Sequence, residues 1–158
     1  MATINKTTPD VGNRLGATPW GNVAAFRYTL ETDSAGKVIQ SDGAAALGIG
    51  DTVRLGTLPA GYRYVESIAK VTKALTTNTT ATVGFSYKDG VDDSSAPEGV
   101  AAFVTGITEA VGVHRGNVGR DAPLLQKDAW LTITTAVAEQ DGEAKVEILV
   151  LGIAEGVR

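Results

Sequence analysis

Thr79-Thr80-Ala81-Thr82-Val83-Gly84-Phe85-Ser86-Tyr87 decides the fold. Ala81, Val83, Phe85 and Tyr87 fall on one side of an extended chain, and Thr80, Thr82, Gly84 and Ser86 on the other. Successive side chains of a strand point to opposite faces, so this period of two is a strand with one face in a core. The same alternation returns upstream in Phe26, Tyr28 and Leu30, set against Arg27 and Thr29. It appears again in Val53 and Leu55, and in Leu131, Ile133, Thr135 and Val137. Lys145 to Ile153 carries Val146, Ile148 and Val150 on one face and Leu149, Leu151 and Ile153 on the other, which predicts a strand buried on both sides. Tyr62 to Leu75 is less clear. Val65, Ile68, Val71 and Leu75 recur at spacings that suit a helix, yet the β-branched residues and flanking turns favour a strand with a bulge near Ser67.

Turn chemistry separates these runs. Asp33-Ser34-Ala35-Gly36, Leu58-Pro59-Ala60-Gly61 and Asp141-Gly142 are turn signals, with Lys37-Val38-Ile39-Gln40 a short return strand after the first. Ser41 to Gly50 reads as a helical turn or a loop, Lys88 to Gly99 as a polar loop, Val100 to Val104 as a short apolar run and Gly106 to Gly119 as irregular. About seven to nine short strands at this spacing predict an all-β domain, a β-sandwich, jelly-roll-like or barrel. Residues 1–22 are different: Pro9, Gly12, Gly16, Pro19 and Gly21 interrupt any period, which predicts an extended N-terminal arm ahead of a β-rich body at 23–158. Fully drawn out, an arm of that length reaches on the order of 65 Å. Val11, Leu15 and Trp20 give it apolar groups to dock.

Composition narrows the function. The 158 residues suit one domain with a real core. Ala, Val, Thr and Gly make up about half of them, a mix of small β-formers and turn-formers. Eighteen acids against 14 bases give a net charge of −4, which argues against a nucleic-acid partner, whose phosphates attract clustered Lys and Arg. The sequence has no cysteine, so disulfides, thiolate–metal sites and thiol catalysis are excluded. One histidine, His114, cannot build a multi-histidine metal site within one chain. No apolar run is long enough for a membrane-spanning helix, and Met1 to Pro9 lacks the apolar segment of a secretory signal, so no membrane partner is expected.

Four constellations bear on chemistry. Asp89, Asp92, Asp93 and Glu98 in a Gly-containing loop could wrap a hard cation, but their spacing is not that of the twelve-residue calcium loop, and a solvated acidic loop is the expected reading. Gly48-Ile49-Gly50-Asp51 opens like a dinucleotide loop without its third glycine or its helix, and reads as a turn. His114, between Val113 and Arg115, has no nucleophile neighbourhood in sequence and reads as an exposed or interface residue. Arg115, Arg120 and Lys127 make a small basic spot expected on a rim. No catalytic, metal or cofactor-binding residue is expected, and no enzyme.

The order of segments resembles the head decoration, or cement, proteins of tailed bacteriophages. Thr7-Thr8-Pro9-Asp10-Val11-Gly12-Asn13-Arg14-Leu15-Gly16 and Pro19-Trp20-Gly21-Asn22 carry the resemblance at the N-terminus. Gly50-Asp51-Thr52-Val53-Arg54-Leu55-Gly56-Thr57-Leu58-Pro59-Ala60-Gly61, Val83 to Gly90, Leu125 to Leu131 and the terminal strand continue it. The resemblance implies a β-rich homotrimer on the outer capsid surface, with the major capsid protein as partner and no active-site residue. Pro9, Val11, Arg14, Leu15, Pro19 and Trp20 are the expected partner contacts on the arm. A carbohydrate- or receptor-binding domain of a tail fibre is the competing reading, with Trp20, Trp130 and the tyrosines as its available stacking groups.

Overall fold

The computed structural model describes residues 1–10, 23–116 and 124–155. Among them are nine strands and no helix: β1 (Thr3–Asp10), β2 (Val23–Glu31), β3 (Thr52–Leu58), β4 (Tyr62–Lys73), β5 (Thr80–Tyr87), β6 (Gly99–Ile107), β7 (Gly112–Arg115), β8 (Ala129–Ala136) and β9 (Lys145–Ala154). They form a five-stranded sheet, in the order β1-β3-β8-β5-β6, and a four-stranded sheet, β2-β9-β4-β7. The two sheets pack as a sandwich. Every pairing is antiparallel except β1 with β3.

The alternation read from the sequence is what fills the interior. Ile4, Val53, Ile133, Val83 and Val104 are register partners in turn across all five strands of the larger sheet. All five are buried, Val53, Ile133, Val83 and Val104 completely. Phe26, Tyr28, Leu30, Val146, Ile148, Val150, Ala69 and Val71 line the facing sheet. An aromatic chain crosses between the layers: Tyr62–Phe26–Tyr64–Phe103–Phe85–Tyr87, with centroid separations of 5.2, 5.8, 5.9, 5.7 and 5.6 Å. Most contacts are edge-on, which suits the ring quadrupole. Two hydrogen bonds fasten the sandwich at opposite corners. Tyr28 Oη (β2) donates to the Thr57 carbonyl (β3) at 2.6 Å, and Ser67 Oγ (β4) to the Phe103 carbonyl (β6) at 3.0 Å.

Several expectations change. Thr3–Asp10, inside the expected arm, is extended but paired: it is the edge strand beside β3, with Ile4 6% exposed in the core. Its outer edge is covered in turn, because the Thr7 and Asp42 amides donate to the Gln40 and Asn5 carbonyls. Residues 11–22 lie outside the described residues, and β2 starts at Val23. β4 is a strand, as preferred over a helix, and its register shifts between Tyr64 and Glu66. That bulge puts Tyr64, Ser67, Ala69 and Val71 inward, so Val65 and Ile68 face out. β9 is fully buried on one face only: Leu149, Leu151 and Ile153 stay half-buried, with no third layer over them among the described residues. Lys37–Gln40 forms only isolated bridges, Thr32 with Val38 and Lys37 with Ala46. A strand was not expected at Gly112–Arg115, where the flanking glycines mask a short edge.

Gly36 closes the Asp33 turn with φ +74°, and a β-carbon there would sit 1.8 Å from the Gln140 carbonyl oxygen. Gly36→Ala should therefore cost at least about 2 kcal/mol, since strain and a backbone clash add. Ile4→Ala should cost about 2–3 kcal/mol by loss of buried methyl groups. Both are read from denaturant midpoints. An unchanged midpoint for Ile4→Ala would show that β1 does not belong to the body.

Candidate interaction surfaces

A sandwich has two outward faces, and here they differ in chemistry. On the four-stranded sheet the outward side of β9 is the ridge Leu149, Leu151 and Ile153. Register places Ala25 beside Leu151 and Val23 beside Ile153 on β2, and Ile68 beside Leu149 on β4. Val23 and Val113 are 53% and 58% exposed. Ion pairs border this apolar strip: Arg27–Glu147 at 2.8 Å, Arg63–Glu155 at 2.7 Å, Arg115–Glu66 at 2.6 Å and Lys145–Glu31 at 3.5 Å, with Lys73–Glu143 at one end. Of the expected basic spot, Arg115 stands on this border paired with Glu66, Lys127 pairs with Asp89, and Arg120 lies outside the described residues. Each pair is exposed enough that it adds little to stability. An apolar centre with a polar, charge-balanced rim is the anatomy of a protein–protein contact.

The outward side of the five-stranded sheet is hydroxyl-rich. Thr3, Thr52, Thr134 and Thr82 are register partners across four strands, and Thr52 and Thr134 are hydrogen-bonded through their hydroxyls at 2.9 Å. The neighbouring row is Asn5, Arg54, Thr132 and Gly84. A trough of about 440 Å³ lies on this side, lined by Thr3, Thr52, Arg54, Phe85, Ser86, Glu98, Gly99 and Thr132. Trp130 stands beside Ser86, one of the lining residues, and Thr57 in register.

The acidic loop satisfies itself. Asp89 Oδ1 accepts the Val91 amide at 3.0 Å and Asp89 Oδ2 faces Lys127 Nζ at 3.0 Å. Asp92 Oδ1 accepts the Asp93 and Glu98 amides, both at 2.8 Å, and Asp93 Oδ1 accepts Ser95 Oγ at 2.6 Å. Hydrogen bonding to the ionised form holds the Asp89 and Asp93 carboxyls below the ordinary range. Glu98 turns back to accept the Tyr87 amide. Among the described residues no group of three or more His, Asp or Glu is placed to hold a metal ion. Beneath the loop, Tyr87 Oη donates to the Ala96 carbonyl at 2.8 Å. Burial, reinforced by Asp93, Asp92, Glu98 and Asp89, pushes its hydroxyl up to about 12.

The other sequence candidates fall apart in space or fall outside view. Pro9 stands near the end of β1; Val11, Arg14, Leu15, Pro19 and Trp20 lie outside the described residues. His114 sits half-buried on β7 opposite Ala69, its Nε2 without a hydrogen-bond partner. Gly48–Asp51 is a turn, closed by the Gly48 amide donating to Asp51 Oδ2 at 3.0 Å. No described helix is long and apolar enough to cross a membrane. Sequence reading missed both outer faces as surfaces, although the Leu149-Leu151-Ile153 stripe and the Thr52, Thr82, Thr132 and Thr134 positions were visible; what was missing was which strands stand side by side.

Tyr87 also sets an alkaline limit. Its hydroxyl ionises near 10 when unfolded and near 12 when folded, so between these values the unfolded chain holds fewer protons. The stability this provides is complete below pH 10 and is lost as pH rises through 12. Absorbance titration near 295 nm should show a late-ionising tyrosine that Tyr87→Phe removes. A titration unchanged by that substitution would contradict the buried, acid-surrounded position.

No protein-family model matches the sequence, and no curated protein matches it significantly. Solved structures do share its fold. A chain titled "Capsid of Ralstonia phage GP4" superposes with a TM-score of 0.64 at 21% identity, covering 99% of this chain and 99% of that one. A chain titled "Acidic stable capsid structure of Helicobacter pylori bacteriophage KHP30" gives 0.51 at 16% identity, covering 85% of this chain and 90% of that one. The resemblance to phage head proteins read from the segment order is matched by neighbours from two phage capsids, at the level of fold.

Proposed function

We propose that this chain is a structural protein of a phage virion: a head decoration protein that binds the major capsid protein on the outer capsid surface and bridges neighbouring subunits, without enzymatic activity. The observation that carries the reading is the match in fold to a chain of a phage capsid, covering 99% of this chain and 99% of that one. The build of the molecule supports it. A cement must resist outward pressure, and a sandwich fastened at two corners through Tyr28 and Ser67 is stiff. It must also adhere, and the Leu149-Leu151-Ile153 face is an apolar strip with a charge-balanced border.

The arm keeps a role with a shorter range. Asp10 is tied to β3 and Val23 to β9, so the segment between them is anchored at both ends. Twelve extended residues have a contour of about 40 Å, which limits an excursion to about 20 Å. In this reading Pro9, Val11, Arg14, Leu15, Pro19 and Trp20 meet a neighbour close to the body instead of crossing a wide seam. Trp20 is the natural anchor, since buried aromatics dominate contact energies. Assembly as a homotrimer would multiply such contacts by effective concentration. No nucleic-acid or membrane contact is part of the reading.

Virions stripped of the protein should release DNA at a lower temperature than complete ones; equal release temperatures would overturn the stabilising role. Leu15→Ala with Trp20→Ala should weaken binding to stripped capsids about tenfold or more while the denaturant midpoint stays put. Leu151→Asp separates the body from the arm. On an outward site it should leave the fold within about 1 kcal/mol of wild type and reduce capsid binding or self-association. Unchanged capsid binding and unchanged oligomeric state for Leu151→Asp would remove the β9 face from the mechanism.

A further inference from the structure

We propose that the trough on the outer face of the five-stranded sheet binds a saccharide carrying a carboxylate. The site is continuous. Thr3, Thr52, Ser86 and the buried Thr132 bring their hydroxyls to it together with Arg54, and Trp130 is the register neighbour of Ser86. Its volume, about 440 Å³, matches a short saccharide. Hydroxyls that both donate and accept, beside an indole, fit a ligand made of hydroxyl groups and C–H faces. A peptide strand would instead find few apolar pockets here. Glu98, exposed in the same lining, repels any anion, so the site tolerates a single carboxylate held at Arg54 better than a polyphosphate.

The charge beside Trp130 selects the carboxylate. Lys88 Nζ lies 4.3 Å from the centroid of the indole ring and Arg54 Cζ 6.0 Å from it. Arg27, Arg63, Lys73, Arg115, Lys127 and Lys145 each hold an acid. Arg54 and Lys88 hold none among the described residues; Arg54 reaches only the amide oxygen of Asn5, at 3.5 Å. Lys37 and Lys70 also hold no acid among the described residues, but Arg54 and Lys88 are set apart by flanking one indole, and the pair offers a place for an anionic group. Lys88, exposed on a flexible stem, can leave the indole face when a sugar ring stacks there. The site faces away from the β9 ridge, so it stays open in a molecule seated on that ridge.

The test uses the full chain labelled with nitrogen-15 and titrated with digalacturonate, cellobiose and citrate. Saturable amide shifts confined to Ser86, Thr132, Trp130 and their neighbours are expected for digalacturonate at concentrations up to about 20 mM. Cellobiose should bind about tenfold more weakly, as should digalacturonate to Arg54→Gln or Lys88→Gln, which remove charge without opening the core. Absence of saturable shifts, equal binding of cellobiose, equal binding of citrate, or undiminished binding by both variants would each overturn the site. The variants also go into the capsid-binding assay. Wild-type capsid binding by Arg54→Gln is expected; its loss would place this face on the shell and overturn the saccharide assignment while leaving the structural role standing.

Discussion

The packing of one sheet's alternating face against the other's is the constraint on which the molecule depends. Five β-branched side chains, Ile4, Val53, Ile133, Val83 and Val104, run unbroken across the larger sheet, and the relay from Tyr62 to Tyr87 couples it to the smaller one. Each core residue on a strand commits its neighbours to the outside. The two exterior faces are therefore fixed by the same period that builds the interior. One became aliphatic along Leu149, Leu151 and Ile153, the other hydroxylic along Thr3, Thr52, Thr134 and Thr82. Bonding capacity sits on the faces, and the interior is spent on rigidity.

That division leaves the charged and hydroxyl groups away from the faces in structural use. The carboxylates of Asp89, Asp92 and Asp93 cap turns, and the ion pairs of the smaller sheet neutralise one another at its border. Tyr87 is used as a buried strut to the Ala96 carbonyl. The chain shares its fold over 99% of its length with a chain of a phage capsid.

Much of this was legible in the sequence, and the gaps have physical causes. Strands such as Thr80–Tyr87 announce themselves because one face is apolar and the other is not. β4 misled because its bulge after Tyr64 breaks the period, so Val65 and Ile68, the obvious apolar residues, point away from the core that Ser67 and Ala69 enter. β1 was hidden by Pro9 and the glycines after it: Ile4 is a single apolar residue among polar ones, and only its partner Val53 shows why it is buried. The trough could not be read at all, since Arg54, Ser86 and Thr132 come from strands whose adjacency is a matter of topology.

The most direct measurement of the central claim is a count of copies. Virions carrying this protein would be disrupted, heads separated from tails, and the chain quantified by mass spectrometry against the major capsid protein in each fraction. A structural component of the shell is present in a fixed, near-stoichiometric ratio in the head fraction and is depleted from tails. A few copies per particle, or recovery with the tails alone, would contradict the account.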